Sequence, residues 1–260
     1  MRINTIESPN NHLVKKAKSL HSSKGRKEAG EFLVEGNKFV LNIPKNWQVV
    51  NTIFSQSYTE KNQDQMQRAI NPIIFKENLF NACSDTVTPS GIMAIVKTKN
   101  YTLKDILACP KKFIIIACNL QDPGNMGTLI RTANAVSASG IIVSPDSVDI
   151  WNPKVVRSAA GSIFNLPIAI SDIELAANEL KTAKINLIAA DLSAQITPYQ
   201  ADFKGPLALM IGNESKGLGM EQLALSDIKV KLPMSADVES LNASVASGVL
   251  MYEVLRQRGF

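Results

Sequence analysis

Short apolar runs rich in Val and Ile alternate with stretches of helical periodicity along the chain. In the first hundred residues, Glu31–Glu35, Val49–Phe54, Ile73–Lys76 and Ile92–Val96 read as strands. Residues 11–20 carry Leu13, Ala17 and Leu20 at helical spacing, and residues 58–69 read as a second amphipathic helix. The polar stretch Lys97-Thr98-Lys99-Asn100-Tyr101-Thr102 breaks this pattern. A domain boundary is expected there or within the next ten residues, and we divide the chain as 1–104 and 105–260.

The second part opens with Phe113-Ile114-Ile115-Ile116-Ala117, followed by apolar runs at 140–143, 185–190, 207–211 and 228–232. Helical stretches intervene at 126–136, 173–181 and 243–258. Continuous apolar strands alternating with helices predict an α/β domain whose mostly parallel sheet is covered on both faces. Ligands of such sheets bind beyond the carboxyl ends of the strands. The loops after Ala117, Ala190, Ile211 and Leu232 are therefore the places to look for chemistry.

Charge changes the picture for the first part. Residues 1–100 carry 14 Lys and Arg against 8 Asp and Glu, whereas residues 101–260 carry 14 against 15. The excess is densest from Lys15 through Lys16, Lys18, Lys24, Arg26 and Lys27, with no acid until Glu28. A solvated helix face would explain a lone Lys run, but asymmetry between whole halves points to a polyanion, bound through phosphate neutralisation. No run of apolar residues is long enough for a membrane helix, and Met1-Arg2-Ile3-Asn4-Thr5 lacks the apolar core of a signal peptide. Cys83, Cys109 and Cys118 share no metal or redox spacing, so reduced thiols in a cytoplasmic protein are expected. His12 and His21 join no serine or carboxylate constellation, which disfavours hydrolytic and metal chemistry.

Three loops stand out. Asn119-Leu120-Gln121-Asp122-Pro123-Gly124-Asn125 has the composition of a tight strand-to-helix turn, with Arg131 expected on the first turns of the helix, pointing back toward the sheet edge. Gly212-Asn213-Glu214-Ser215-Lys216-Gly217-Leu218 superficially suggests a phosphate loop, but Leu218 stands where that loop needs Lys. Its glycines instead suit close approach of backbone to a ligand, although a helix-capping turn around Glu214 would also account for it. In Leu232-Pro233-Met234 followed by Glu239-Ser240-Leu241-Asn242, Ser240 is the expected N-cap of the last helix. Asn242 then falls just inside that helix, where a mediocre helix former suggests a positioning role.

In this order and spacing, Asn125-x-Gly127-x-x-x-Arg131, Ile211-Gly212-Asn213-Glu214-x-x-Gly217-Leu218 and Leu232-Pro233-Met234…Glu239-Ser240-Leu241-Asn242-x-Ser244-x-Ala246 resemble the SpoU (TrmH-like) branch of the SPOUT RNA methyltransferases. Each motif alone is weak; the three together are specific. Lys24-Gly25-Arg26-Lys27…Phe32-Leu33-Val34-Glu35-Gly36 also resembles the RNA substrate-binding domain often fused to this family, itself similar to small ribosomal RNA-binding proteins.

The resemblance implies a parallel sheet with a C-terminal deep trefoil knot, preceded by a small α/β RNA-binding domain. It implies S-adenosylmethionine as methyl donor, with no metal, held largely by backbone at Ile211, Gly212, Leu232, Met234 and Leu241, with Ala190 a weaker candidate. It implies a homodimer whose active sites use both protomers. The expected substrate is a ribose 2′-hydroxyl in large-subunit (23S) ribosomal RNA, with tRNA as runner-up and a non-catalytic ribosomal-type RNA binder as the rival outside catalysis. No DNA or membrane partner is expected. By resemblance Arg131 activates the hydroxyl with help from the target phosphate. Because a guanidinium stays protonated, its chemistry favours orienting that phosphate and stabilising developing alkoxide, with a base role as the alternative. Asn125, Glu214, Ser240 and Asn242 would organise Arg131 and the ribose, and Lys24, Arg26 and Lys27 would grip RNA.

Overall fold

A computed structural model describes residues 4–259 of the protein; Met1, Arg2 and Ile3, part of the N-terminal stretch that lacks a signal-peptide core, and Phe260 lie outside the described residues. The chain divides into two units, 1–99 with 149–164, and 100–148 with 165–260.

The first unit is built on a mixed sheet of β1 (Thr5–Ile6), β2 (Glu31–Glu35), β3 (Val49–Ser55), β4 (Pro72–Phe75) and β5 (Ile92–Lys97), in the order β1-β4-β3-β5-β2. The first helix, α1 (His12–Ser19), starts where the Asn11 carboxamide oxygen accepts the Leu13 amide at 2.9 Å. After it come α2 (Ser23–Ala29), α3 (Asn37–Val40), α4 (Gln56–Lys61), α5 (Gln63–Arg68) and α6 (Glu77–Asn81). The single helix expected over 58–69 is broken at Asn62, whose φ of −137° leaves the helical region. The cause is local: Asn62 Nδ2 donates to the Tyr58 carbonyl at 3.0 Å, competing for the acceptor the helix needs. Val14, Ala17 and Leu20 of the α1 region bury completely against Ile53, Phe75, Phe80 and Ile95.

The second unit begins with α7 (Leu103–Leu107), β6 (Phe113–Ala117), α8 (Pro123–Ala135) and β7 (Gly140–Val143). Residues 149–164, which carry α9 (Pro153–Ser158), group with the first unit although they follow β7 in sequence. The physical reason is aromatic: Trp151 stacks on Phe32 at 4.5 Å, and Phe164 packs edge-on against Trp47 at 5.1 Å. The Trp47 indole N–H also donates to the Phe164 carbonyl at 2.9 Å. Short stretches inside one apparent α/β pattern carry no mark of which core they complete.

After Phe164 the second unit resumes with β8 (Ile168–Ile170), α10 (Ile173–Thr182), β9 (Asn186–Ala190), β10 (Leu207–Ile211), α11 (Met220–Leu225), β11 (Ile228–Val230) and α12 (Ala243–Arg258). All six strands are parallel, in the order β11-β9-β10-β6-β7-β8. This is the buried parallel sheet the apolar runs predicted, and its central residues Ile114, Ile116, Ala208 and Met210 are fully buried. From β11 the chain turns back, and α12 packs against α8 and β10.

Candidate active site

The four candidate loops follow β6, β9, β10 and β11, which are four adjacent strands of one parallel sheet. Parallel strands deliver all four loops to the same end, so strand order alone brings the motifs together.

The loop after β10 folds back on itself. Asn213 N donates to Gly217 O at 3.0 Å and Gly217 N returns to Asn213 O at 2.9 Å. A Cβ on Gly212 would lie 2.2–2.4 Å from the backbone of Gly217 and Leu218, so only glycine permits this closure. Gly212 therefore serves approach of its own loop, where the sequence suggested approach of a ligand. Gly217, at φ +66°, completes the turn.

The loop after β6 is shorter than expected, because Asp122 is already an N-cap and Pro123 the first helical residue of α8. Glu214 reaches across to this helix start. Its carboxylate accepts the Gln121 and Asp122 amides at 3.2 and 3.0 Å and Asn125 Nδ2 at 3.1 Å. Partial burial works to raise the Glu214 pKa, but the Asp122 and Gln121 amides and the Asn125 side chain outweigh it and hold it below the usual carboxylate range. Asn125 Oδ1 in turn accepts Asn242 Nδ2 at 2.9 Å. One hydrogen-bonded line thus runs Glu214–Asn125–Asn242 through all three motifs.

Asn242 is the N-cap of α12: its Oδ1 accepts the Ser244 and Val245 amides at 2.9 and 3.3 Å. The expected cap, Ser240, lies two positions before the actual one and is exposed. Both residues have capping side chains, and the Asn125 contact, a tertiary feature, is what selects Asn242.

Ala190, Ile211, Gly212, Leu232, Met234 and Leu241 all line one cavity of about 240 Å³, together with Glu214 and Ser240. Its walls also include Lys216 of the second loop and Ala246 of the third motif, together with Asp191, Leu192 and Leu250, which lie outside the motifs. Ala243, Ala246 and Leu250 repeat at helical spacing, a signal that was available and unused. The cavity pairs apolar side chains with folded-back backbone and a few charges at its rim, a lining suited to a small ligand with an apolar body and polar ends. The neighbouring Cys118 thiol is pushed up to about 12 by burial, which keeps it protonated and out of nucleophilic chemistry.

Arg131 is not part of this wall. It occupies the third turn of α8, is exposed, and makes no hydrogen bond or ion pair among the described residues. It stands six positions after Asn125, which turns it about 120° around the helix from that side chain. It shares a side instead with Thr128, which lines an open groove formed with Val245, Val249 and Tyr252 of α12.

Of the basic residues, Lys24 and Lys27 are exposed, with Lys24 3.8 Å from Glu28. Arg26 is not available to RNA: only 3% exposed, it donates to the Leu20 and His21 carbonyls at 2.9 Å and pairs with Asp149 at 2.6 Å. Its charge is spent on an intramolecular pair that the linear pattern could not reveal, because Asp149 lies 123 residues away.

Comparison with known proteins agrees with this geometry. Residues 112–252 match the model of the SpoU rRNA Methylase family, and residues 11–94 that of the MRM3-like substrate binding domain. The 23S rRNA (guanosine(2553)-2′-O)-methyltransferase RlmP of Bacillus subtilis is 31% identical, over 96% of this chain and 98% of its own. A 23S rRNA (uridine(2479)-2′-O)-methyltransferase of Streptomyces viridochromogenes is 30% identical, over 90% and 85% respectively. The crystal structure of an AdoMet-bound rRNA methyltransferase from Sinorhizobium meliloti superposes with a TM-score of 0.88 at 26% identity, covering 98% of both chains. With the family's model covering more than half of its length and all three motifs gathered at one sheet end, this chain belongs to the SpoU rRNA methylase family.

Proposed function

We propose that this protein transfers a methyl group from S-adenosylmethionine to a ribose 2′-hydroxyl of 23S ribosomal RNA. The observation that carries the reading is the convergence of Ile211, Gly212, Leu232, Met234, Leu241 and Ala190 on one cavity beside the Glu214–Asn125–Asn242 line. The residues present fit the donor: apolar side chains for its adenine, and polar backbone and charged groups for its ends. When bound, the donor supplies an electrophilic methyl. This chain's task is to hold the ribose oxygen in line with it, a positioning effect worth up to about 7–11 kcal/mol. In this reading Asn125 and Asn242, held by Glu214, orient the ribose, and Ser240 closes the cavity rim. Relatives act on guanosine in one case and uridine in another, so the base is left open by the resemblance.

Arg131 orients the target phosphate and stabilises the alkoxide, and it does so in the partner's site. It is absent from the wall of its own cavity and shares a side of α8 with Thr128, which borders the groove lined by Val245, Val249 and Tyr252, an exposed apolar stripe at spacing i, i+4, i+7 on α12. That helix is apolar on two faces: Leu250, Met251 and Val254 fill its own unit's core, which leaves the second stripe for a second copy of this chain. In the first unit, exposed Lys15, Lys18, Lys24 and Lys27 supply the RNA grip. No helix among the described residues is long and apolar enough to cross a membrane, and the reading places the enzyme in the cytoplasm with its RNA.

The deciding experiment is 2′-O-methyl mapping of 23S rRNA from a deletion strain, followed by in vitro restoration with the purified protein and labelled donor. One position should lose its methyl and regain it. A full set of methyls in the deletion strain, with no transfer in vitro, would overturn the reading.

A further inference from the structure

The left-handed residue just after β6, Asn119, belongs to none of the three motifs, yet it opens one of the loops that form the site and bonds to another. Its φ is +54°, a conformation that asparagine tolerates better than other residues with a β-carbon, and it is exposed. Behind it the buried Ser144 hydroxyl accepts the Asn119 amide at 2.8 Å and lies 3.1 Å from Asn119 Oδ1. The same hydroxyl is 2.9 Å from Ser147 Oγ, which accepts the Leu120 amide at 3.2 Å. A hydroxyl has one proton, so the ring has a single consistent order: Ser147 donates to Ser144, and Ser144 donates to Asn119 Oδ1.

In front, the Asn119 carbonyl accepts Asn213 Nδ2 at 2.8 Å, and Asn213 Oδ1 accepts the Ser215 and Lys216 amides at 3.0 and 3.2 Å. The left-handed turn therefore aims the carbonyl at the β10 loop and the following amides, Gln121 and Asp122, at Glu214 of that same loop. Two staples, one on each side of Leu120, fix the two loops against each other.

We infer that Asn119 is a positioning residue for methyl transfer: its backbone turn and its Ser144 bond set the Gln121 and Asp122 amides that orient Glu214, and through it Asn125. The inference rests on the methyltransferase reading above for its kinetic consequence, but its geometric core does not.

Three variants separate the parts. Asn119→Asp keeps the tolerance for the turn and the acceptor for Ser144; Asn119→Gly keeps only the turn; Asn119→Ala keeps neither. The expected order of kcat is Asp close to wild type, then Gly, then Ala, with Ala lower by roughly tenfold to a hundredfold. Donor Kd and the KM for RNA should stay within about threefold, since misorientation of bound groups falls on kcat. A purely structural residue would instead lower Tm and leave kcat per folded molecule unchanged, and that result overturns the proposal.

Hydrogen exchange of the segment holding the Gln121 and Asp122 amides, measured on the free protein, needs no activity. Protection lost in Ala and retained in Asp supports the proposal even if the wild type methylates no ribosomal RNA, an outcome that would sink the functional reading alone. Equal protection in all variants overturns the proposal whatever the kinetics.

Discussion

Asn242 uses both ends of its carboxamide: Nδ2 donates to Asn125 Oδ1 at 2.9 Å, while Oδ1 accepts the first free amides of α12. The residue that starts the last helix thus also fixes the side chain at the start of α8, which ties helix formation to the shape of the site. Asn242→Asp keeps the cap but turns a carboxylate oxygen toward Asn125 Oδ1. Turnover should fall by roughly a hundredfold, the scale for losing one preorganised polar group, with Tm nearly unchanged. Asn242→Ala should lose the cap too, costing about 1 kcal/mol of stability. Steady-state kinetics with thermal melts distinguish the two, and wild-type turnover in Asn242→Asp would remove Asn125 orientation from the account.

Arg131→Ala should leave Tm and donor affinity near wild type, because the side chain is exposed and unpaired among the described residues. Turnover should fall by roughly a hundredfold or more, and Arg131→Lys should recover little, since it keeps the charge and loses the planar fork. Action across a dimer makes a sharper forecast. Mixing inactive Arg131→Ala with a cavity-blocked Leu241→Arg variant should restore about a quarter of wild-type activity through heterodimers with one composite site. Mixtures that stay inactive, despite verified exchange of protomers, would place Arg131 in its own chain's site.

Gly212 and Leu241 both border the cavity but should fail differently. A Cβ at Gly212 would collide with the Gly217 backbone, so Gly212→Ala should lose donor binding and thermal stability together. Leu241 is 37% exposed on the cavity rim, so Leu241→Arg should lose donor binding alone. Calorimetry and melting curves on both variants check this, and intact donor affinity in Leu241→Arg would move the donor elsewhere.

Replacing Lys15, Lys18, Lys24 and Lys27 with Ala should weaken RNA binding across sequences and flatten its salt dependence by about one unit of slope per lost phosphate contact. Arg26→Ala should act on stability instead. It strips Asp149 and two buried carbonyls of their partner, a loss of the order of 3 kcal/mol. A salt slope unchanged in the four-lysine variant would relocate the RNA.

Glu214 sets an acid-side limit. Its folded pKa lies below its unfolded one, so the ionised group adds stability above the ordinary carboxylate range and loses it as pH falls through the lowered value. The stability gap between wild type and Glu214→Gln should be constant near neutrality and close below about pH 4. Chemical denaturation at several pH values tests this; a gap independent of pH would mean the carboxylate's charge is irrelevant to the loop contact.

The sequence by itself determined the parallel sheet and the loops that matter. Runs such as Phe113–Ala117 and Leu207–Ile211 are apolar throughout because both sheet faces are covered, a property each residue carries in its own side chain. The three motifs were legible for a similar reason: Pro123, Gly212 and Gly217 meet backbone demands set within a few residues. Partnership at long range was not legible. Arg26 looks like any basic residue on α2 until Asp149 folds against it, and Ser240 caps as well as Asn242 until Asn125 arrives. Trp151 and Phe164 follow a strand of the second unit in sequence yet pack on Phe32 and Trp47 of the first. Periodicity tells how much of an element is buried; only tertiary structure decides what buries it, because that choice is made by residues more than a hundred positions away.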